Sequence, residues 1–209
     1  MRFADLDTNS PFIRKDNLRL LFSKIKDNSY SQNIKNWIKS RKLIPLKRGL
    51  YVLAAYWEKC QDKDRYLDYL SSIIYYPSYV SKETTLARYG MLSETVFGIS
   101  AVSLKTSRSF SAQIALFSYT NIKESLFTGF QAQYYGKNRY YAATKSKALF
   151  DYLYFYKRKM PAVNLSAIQA LRLNLGTMTN SDWEEFQKYL AGAKSVKMDK
   201  LYKLIREQK

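Results

Sequence analysis

Apolar positions repeat with two different periods along this chain, and the changes between them mark its elements. Leu18, Leu21, Phe22 and Ile25 recur at i, i+3, i+4 and i+7, one face of a short amphipathic helix. Asp27-Asn28-Ser29-Tyr30 reads as a turn, and Ser31 as the N-cap of a second helix. In that helix Ile34, Trp37 and Ile38 point one way, with the Arg41 stem alongside, while Gln32, Lys35, Asn36, Lys39, Ser40 and Lys42 cover the other side. Two apolar runs, Leu43-Ile44-Pro45-Leu46 and Leu50-Tyr51-Val52-Leu53, then flank Lys47-Arg48-Gly49 and predict a β-hairpin.

Beyond the polar stretch Glu58–Asp64, a linker or helix lead-in, Leu67, Leu70, Ile73 and Ile74 form another helical stripe that stops before Pro77. Ser81 is a candidate cap for a helix carrying Leu86 and Tyr89, with Gly90 as its stop. From Gly98 to Thr144 the texture turns to β, with runs at Ile99–Thr106, Ala112–Tyr119, Leu126–Tyr134 and Arg139–Ala143. Ser107-Arg108-Ser109, Thr120-Asn121 and Gly136-Lys137-Asn138 separate them, so a small antiparallel meander of three to five strands is expected. A helix over about Lys145–Lys157 should cover one face of that sheet. Helices at Leu165–Leu173, Asp182–Leu190 and about Val196–Arg206 should complete the chain. The fold class expected is α+β: an N-terminal winged helix-turn-helix over residues 1–60, then a C-terminal domain of helices on a small antiparallel sheet over residues 61–209.

Charge adds a partner to this picture. Lys and Arg number 35 against 17 Asp and Glu, a formal net charge of +18. A surplus of that size favours a polyanion, because each phosphate neutralised releases counterions. Membrane surfaces and RNA share the attraction. The order helix, polar-faced helix, basic-tipped hairpin narrows the choice to duplex DNA. Lys35, Asn36 and Lys39 are candidates to meet base edges, with Gln32 on the same DNA-binding face. Arg41, Lys42, Lys47 and Arg48 are candidates for phosphates or the minor groove. A solvated helix face and an ordinary charged turn are the plain alternative for each of them taken singly. In the last helix Lys197, Lys200, Lys203 and Arg206 form an outward row, a second candidate basic surface or, equally, a solvated face.

Other chemistry is sparse. The chain has one cysteine, Cys60, and no histidine, which excludes an internal disulfide, Cys-cluster and His-based zinc sites, and His acid–base catalysis. No glycine-rich phosphate loop is present, so no catalytic residue, metal or cofactor is expected. Asp151, inside an apolar helical stripe, is the one acid in an unexpected setting; it is expected to pair with a basic side chain or cap backbone, the alternative being a metal ligand. Tyr134-Tyr135 and Tyr140-Tyr141 flank a basic turn and could stack bases, but alternating strand aromatics are more often core. Met1–Asp7 lacks a leader's apolar core and no run reaches membrane-spanning length, so a cytoplasmic protein without a membrane partner is the expectation.

Several segments together resemble the AbiEi-type antitoxins and related transcriptional regulators. The resemblance is carried by Lys42-Leu43-Ile44-Pro45-Leu46-Lys47-Arg48-Gly49-Leu50-Tyr51-Val52, Tyr76-Pro77-Ser78-Tyr79-Val80-Ser81 and Ala87-Arg88-Tyr89-Gly90-Met91-Leu92. It continues through Val102-Ser103-Leu104-Lys105-Thr106-Ser107-Arg108, Phe127-Thr128-Gly129-Phe130 and Ala142–Asp151, and covers roughly Ile34 to Tyr154. It implies a non-enzymatic DNA-binding regulator that represses its own promoter and counteracts a nucleotidyltransferase-type toxin in phage defence. It also implies that Asp151 is structural. A homodimer on DNA is among the states it allows. The competing readings are a metal-dependent nuclease with a DNA-binding head, a stand-alone regulator without a toxin, and an adaptor for an acidic protein.

Overall fold

A computed structural model describes residues 9–94, 96–158, 160 and 162–207; Met1–Asp7, read above for a leader, lie outside the described residues. A short strand β1 (Ile13–Arg14) opens directly into α1 (Lys15–Leu21), followed by α2 (Asp27–Lys39), β2 (Leu43–Lys47) and β3 (Leu50–Leu53). The three strands form an antiparallel sheet in the order β1-β3-β2, with Ile13 opposite Tyr51 and Leu43 opposite Leu53. Leu18, Phe22, Tyr30, Ile34, Leu43 and Leu53 make the core between this sheet and the two helices.

Two expectations fail here, for one reason. Asp27-Asn28-Ser29-Tyr30 is the first turn of α2 and not a connecting turn; Lys26 is the N-cap and Ser31 lies inside the helix. Tyr30 is buried, and its hydroxyl donates to the Lys15 carbonyl at 2.5 Å, so a tertiary anchor outweighs weak local turn propensity. The same anchoring ends α1 at Leu21, which is exposed, while Phe22 at the C-cap turns inward.

After β3 the chain runs through α3 (Ala54–Lys59) into α4 (Lys63–Ile74), whose N-cap Asp62 accepts from the Arg65 N–H at 3.0 Å. The larger sheet holds β4 (Ser78–Val80), β5 (Ile99–Ser103), β6 (Arg108–Ser111), β7 (Leu116–Asn121), β8 (Phe130–Tyr135) and β9 (Asn138–Ala143). Its order is β6-β7-β5-β4-β9-β8, and it is mixed: β4 lies parallel to β9, and β5 parallel to β7. The antiparallel meander expected from sequence is thus corrected on three points. Strand β4 has only three residues, too few to display an alternation, yet it is central. Strand β6 takes in Arg108 and Ser109 of the Ser-Arg-Ser segment read as a turn, because an exposed edge strand needs few apolar residues. The stretch from Leu126 does not begin a strand: Glu124–Leu126 is a 3-10 turn, and β8 starts at Phe130.

The faces of this sheet are covered differently. On one, Val80, Ala101, Phe117, Tyr119 and Tyr140 pack with Tyr66, Tyr69, Leu70 and Ile74 of α4. The N-terminal hairpin residues Ile44, Leu46, Leu50 and Val52 join the same cluster, so apolar packing crosses the boundary expected at residue 60. On the other face, Tyr79, Val102 and Ala143 meet α6 (Lys145–Tyr156), α8 (Asn180–Ala193) and α9 (Val196–Arg206). Between β4 and β5 comes α5 (Lys82–Arg88), which lies against α6. The helix expected over Leu165–Leu173 stops early, as α7 (Leu165–Gln169). Thr179 and Asp182 form a capping box that starts α8 two residues before the expected Asp182.

Buried charge fastens sheet to helices. Lys147 and Asp151, one turn apart on α6 and both fully buried, pair at 2.6 Å. The Tyr79 and Ser81 hydroxyls donate to the second Asp151 oxygen at 2.9 and 2.8 Å. Asp151 therefore pairs with a basic side chain, as one of the two sequence readings had it. Burial raises its carboxyl above the usual range and lowers the Lys147 ammonium, each partly offset by the other. Replacing Asp151 by Asn should strand the ammonium and cost about 3–5 kcal/mol in urea unfolding. The double variant Lys147→Met with Asp151→Leu should recover much of that loss. A single variant as stable as the parent would remove the network from its structural role.

Candidate nucleic-acid interface

Between Asn9 and Leu53 the chain carries eleven basic residues and two acidic ones, half of the molecule's net charge in about a fifth of its length. Helix α2 sorts them. Tyr30 and Ile34 are buried and Trp37 and Ile38 half-buried, while Gln32, Lys35, Asn36 and Lys39 are exposed along the opposite side. The Gln32 amide donates to the Asn36 carbonyl oxygen at 3.1 Å, holding two of these polar tips together. The helix leaves through Arg41 at φ 54°, where the Arg41 N–H donates to the Ile38 carbonyl at 3.0 Å and the Lys42 N–H to the Trp37 carbonyl at 2.8 Å. That paired return is a Schellman closure with arginine in the left-handed position normally given to glycine. It sets the exposed Arg41 and Lys42 beside the last turn of the polar face.

The orientation of α2 depends on Arg19, which sequence reasoning passed over. Its guanidinium donates to the Phe22 and Ile25 carbonyls at 2.8 and 2.7 Å, lies over the Tyr30 ring at 5.2 Å, and pairs with Asp27 at 3.0 Å. Phe22 and Trp37 rings meet at 5.1 Å beneath it. Burial of Tyr30 lifts its hydroxyl pKa to about 12, with the Tyr51 hydroxyl adding to the effect. No periodicity marks Arg19, because a basic residue between Leu18 and Leu20 looks like any solvated helix position.

At the hairpin tip the two expected contacts part. Arg48 is exposed. Lys47 instead turns inward: its ammonium donates to the Ile74 carbonyl at the end of α4, at 2.5 Å, and lies 5.9 Å from the Phe110 ring. Burial lowers its pKa, with Arg14 and Lys105 adding repulsion. Lys47 is therefore corrected from a phosphate ligand to a tie between hairpin and α4; a lysine at a helix C-terminus is favoured there. Arg14, opposite Leu50, and Lys15, whose N–H donates to the Gly49 carbonyl at 2.8 Å, bring two exposed cations to the same tip. Gly49 permits this at φ 78°, and a Cβ there would stand 3.8 Å from that of Lys15. Neither Arg14 nor Lys15 could be placed from sequence, since they arrive through pairing of β1 with β3.

The second basic row also divides. Lys200, Lys203 and Arg206 are exposed, the Arg206 guanidinium lying over the Trp183 ring at 5.0 Å, but Lys197 donates to the Met160 carbonyl at 2.8 Å. Lys197 is thus corrected from an outward position, because the start of α9 closes onto the chain after α6. Beside it Lys157 donates to Ser195 Oγ at 3.0 Å and sits 4.0 Å from the Tyr154 ring. Desolvation first, then Arg158, Lys123 and Lys197, hold the Lys157 pKa down to about 8. A lysine depressed in the folded state leaves the unfolded chain binding more protons between about 8 and 10.5, so its contribution to stability improves as pH rises through that window. Lys157→Met should accordingly raise the melting midpoint at pH 7, and the gain should vanish by about pH 10. A variant that melts lower at pH 7 would show that the Ser195 and Tyr154 contacts outweigh the repulsion.

Among the described residues no helix is long and apolar enough to cross a membrane, and no group of three or more His, Cys, Asp or Glu side chains could hold a metal ion. Comparison with known protein families, with curated proteins and with solved structures returns no match for this chain.

Proposed function

We propose that this protein is a sequence-specific DNA-binding regulator with a winged helix-turn-helix head. The observation that carries the reading is the β1-α1-α2-β2-β3 succession with sheet order β1-β3-β2, which leaves the Gln32, Lys35, Asn36 and Lys39 face of α2 exposed. A helix read in the major groove needs long donors outside and an apolar anchor inside, and a hairpin beside it reaches the flanking backbone. In this reading Lys35, Asn36 and Lys39 meet base edges. Arg41, Lys42, Arg48 and the added pair Arg14 and Lys15 meet phosphates. Lys47 supports the hairpin from within.

The antitoxin part rests on the AbiEi resemblance. The C-terminal domain would counteract a nucleotidyltransferase-type toxin, while the head represses the promoter of its own operon in the cytoplasm. No catalytic step is assigned. Asp151, the carboxylate the nuclease alternative singled out, is enclosed by Lys147, Tyr79 and Ser81, which favours the regulator over that alternative.

A mobility-shift titration tests the reading, using duplex from upstream of the protein's own coding sequence, scrambled competitor, and two salt concentrations. Binding should resist the competitor. Asn36→Ala and Lys39→Ala should narrow the preference for the upstream duplex, each by about 1–3 kcal/mol. Arg48→Ala should weaken both duplexes alike and reduce the salt slope by about one. Lys47→Ala should leave the salt slope intact while lowering stability by about 1 kcal/mol. Wild-type binding that scrambled duplex removes as readily as the upstream sequence would defeat sequence-specific regulation.

A further inference from the structure

The six-stranded sheet ends on β6 at one side and β8 at the other. These two edges are built differently. Strand β6 is four residues long, begins with Arg108 and lies against β2 of the N-terminal sheet. Strand β8 is six residues, Phe-Gln-Ala-Gln-Tyr-Tyr, with no charge in a chain of which 25% is charged. Natural sheets blunt an open edge with lysines, prolines, bulges or inward charges, since unpaired backbone groups recruit another strand. Strand β8 pairs with β9 in unbroken register from Phe130–Ala143 to Tyr135–Asn138 and carries none of these devices; α4 packs on it at Tyr135, which stacks on Tyr66 and Tyr69, and Gln131 to Tyr134 stay exposed.

The ladder's phase says which backbone groups are available. Tyr135 and Asn138 close a two-residue turn at Gly136-Lys137, with Gly136 at φ 57°, so they form a hydrogen-bonded pair. At the other end the Thr144 N–H donates to the Gly129 carbonyl at 2.9 Å, in the same phase. Odd-numbered residues of β8 thus direct their N–H and C=O to β9. Phe130, Ala132 and Tyr134 direct theirs away from the sheet.

We propose that this edge pairs with the β8 edge of a second copy, antiparallel about a twofold axis at Ala132, joining the two sheets. The strand is complementary to itself in that register. Ala132 faces its own copy, Phe130 faces Tyr134 of the second copy, and Gln131 faces Gln133 of the second copy. The backbone groups of Phe130, Ala132 and Tyr134 then supply about six intermolecular hydrogen bonds, with aromatic and amide cross-strand pairs on the two faces. Ala132, Gln131, Gln133 and Tyr134 are all exposed, so nothing need be displaced from their side chains. Strand complementarity selects a second copy as the occupant, and charge limits where two copies can touch. Two molecules at +18 repel, and an uncharged strand is where they can touch without apposing cations. A pairing of one strand buries less than the roughly 1,200–2,000 Å² of a standard interface, so the dimer is weak and forms at micromolar concentrations. Screening of the mutual repulsion strengthens it with salt, opposite to the effect on phosphate binding.

This inference stands apart from the DNA-binding reading and fails separately from it. Sedimentation equilibrium of the full chain over about 1–500 µM, at low and high salt, should show mass rising toward a dimer, more steeply at high salt. Ala132→Pro removes an outward N–H without touching the β8–β9 ladder, and Ala132→Lys sets two cations on the axis. Each should weaken dimerisation at least tenfold with an unchanged circular dichroism spectrum. If the proline variant misfolds, the lysine variant carries the test alone. Ser109→Lys on β6 should leave the dimer as it was. A wild-type chain monomeric throughout, including one whose β8 serves a different protein, overturns the proposal. So does an Ala132→Lys variant that dimerises like the parent.

Discussion

The contact on which the fold turns is the buried one between Lys147, Asp151, Tyr79 and Ser81. Strand β4 is three residues long and stands at the centre of the large sheet, where its own ladder bonds are few. What adds to its hold is side-chain chemistry: Tyr79 from the strand and Ser81 just after it reach a carboxylate on α6. That carboxylate can be ionised inside the protein because Lys147 lies one turn away and both hydroxyls donate to it. Losing one partner would leave a charge in an apolar interior, so the four residues act as a unit, and sheet and helical layer are located together.

A second set of ties locates the N-terminal module. The hairpin's inner residues share their cluster with α4 and with the large sheet's opposite face. Tyr66, fully buried on α4, donates to the Pro11 carbonyl, and Lys47 donates to the Ile74 carbonyl at 2.5 Å. These bonds come from opposite ends of the module and converge on one helix. The module is consequently held at two points against α4, and α2, on its outer side, presents its polar face from a fixed support. Positioned donors lose less side-chain and loop freedom on binding than mobile ones.

The positive charge of the molecule is unevenly employed. Part of it is structural: Arg19, Lys47, Lys123 and Lys197 each donate to backbone carbonyls at helix ends and in connecting segments. The exposed remainder is spread over the molecule and is densest around α2 and the hairpin tip, where Arg14, Lys15, Lys35, Lys39, Arg41, Lys42 and Arg48 all face solvent. Long-range attraction to a polyanion and the uncharged β8 edge follow from this division, one by gathering cations and the other by excluding them.

Periodicity alone determined the local elements: the inward stripe of α2, the hairpin around Lys47-Arg48-Gly49, and α4, α6 and α9 are legible because each buries one regular face. The polar face of α2 was legible with them, since it is the complement of that stripe. What the sequence could not decide was pairing between distant segments. Parallel alignment of β4 with β9 and of β5 with β7 depends on partners far apart in the chain, and a three-residue strand has no period to reveal it. The direction of single cations was hidden for a related reason. Lys47 and Arg48 are adjacent and chemically similar, yet only the tertiary structure brings the Ile74 carbonyl to one and leaves the other in solvent.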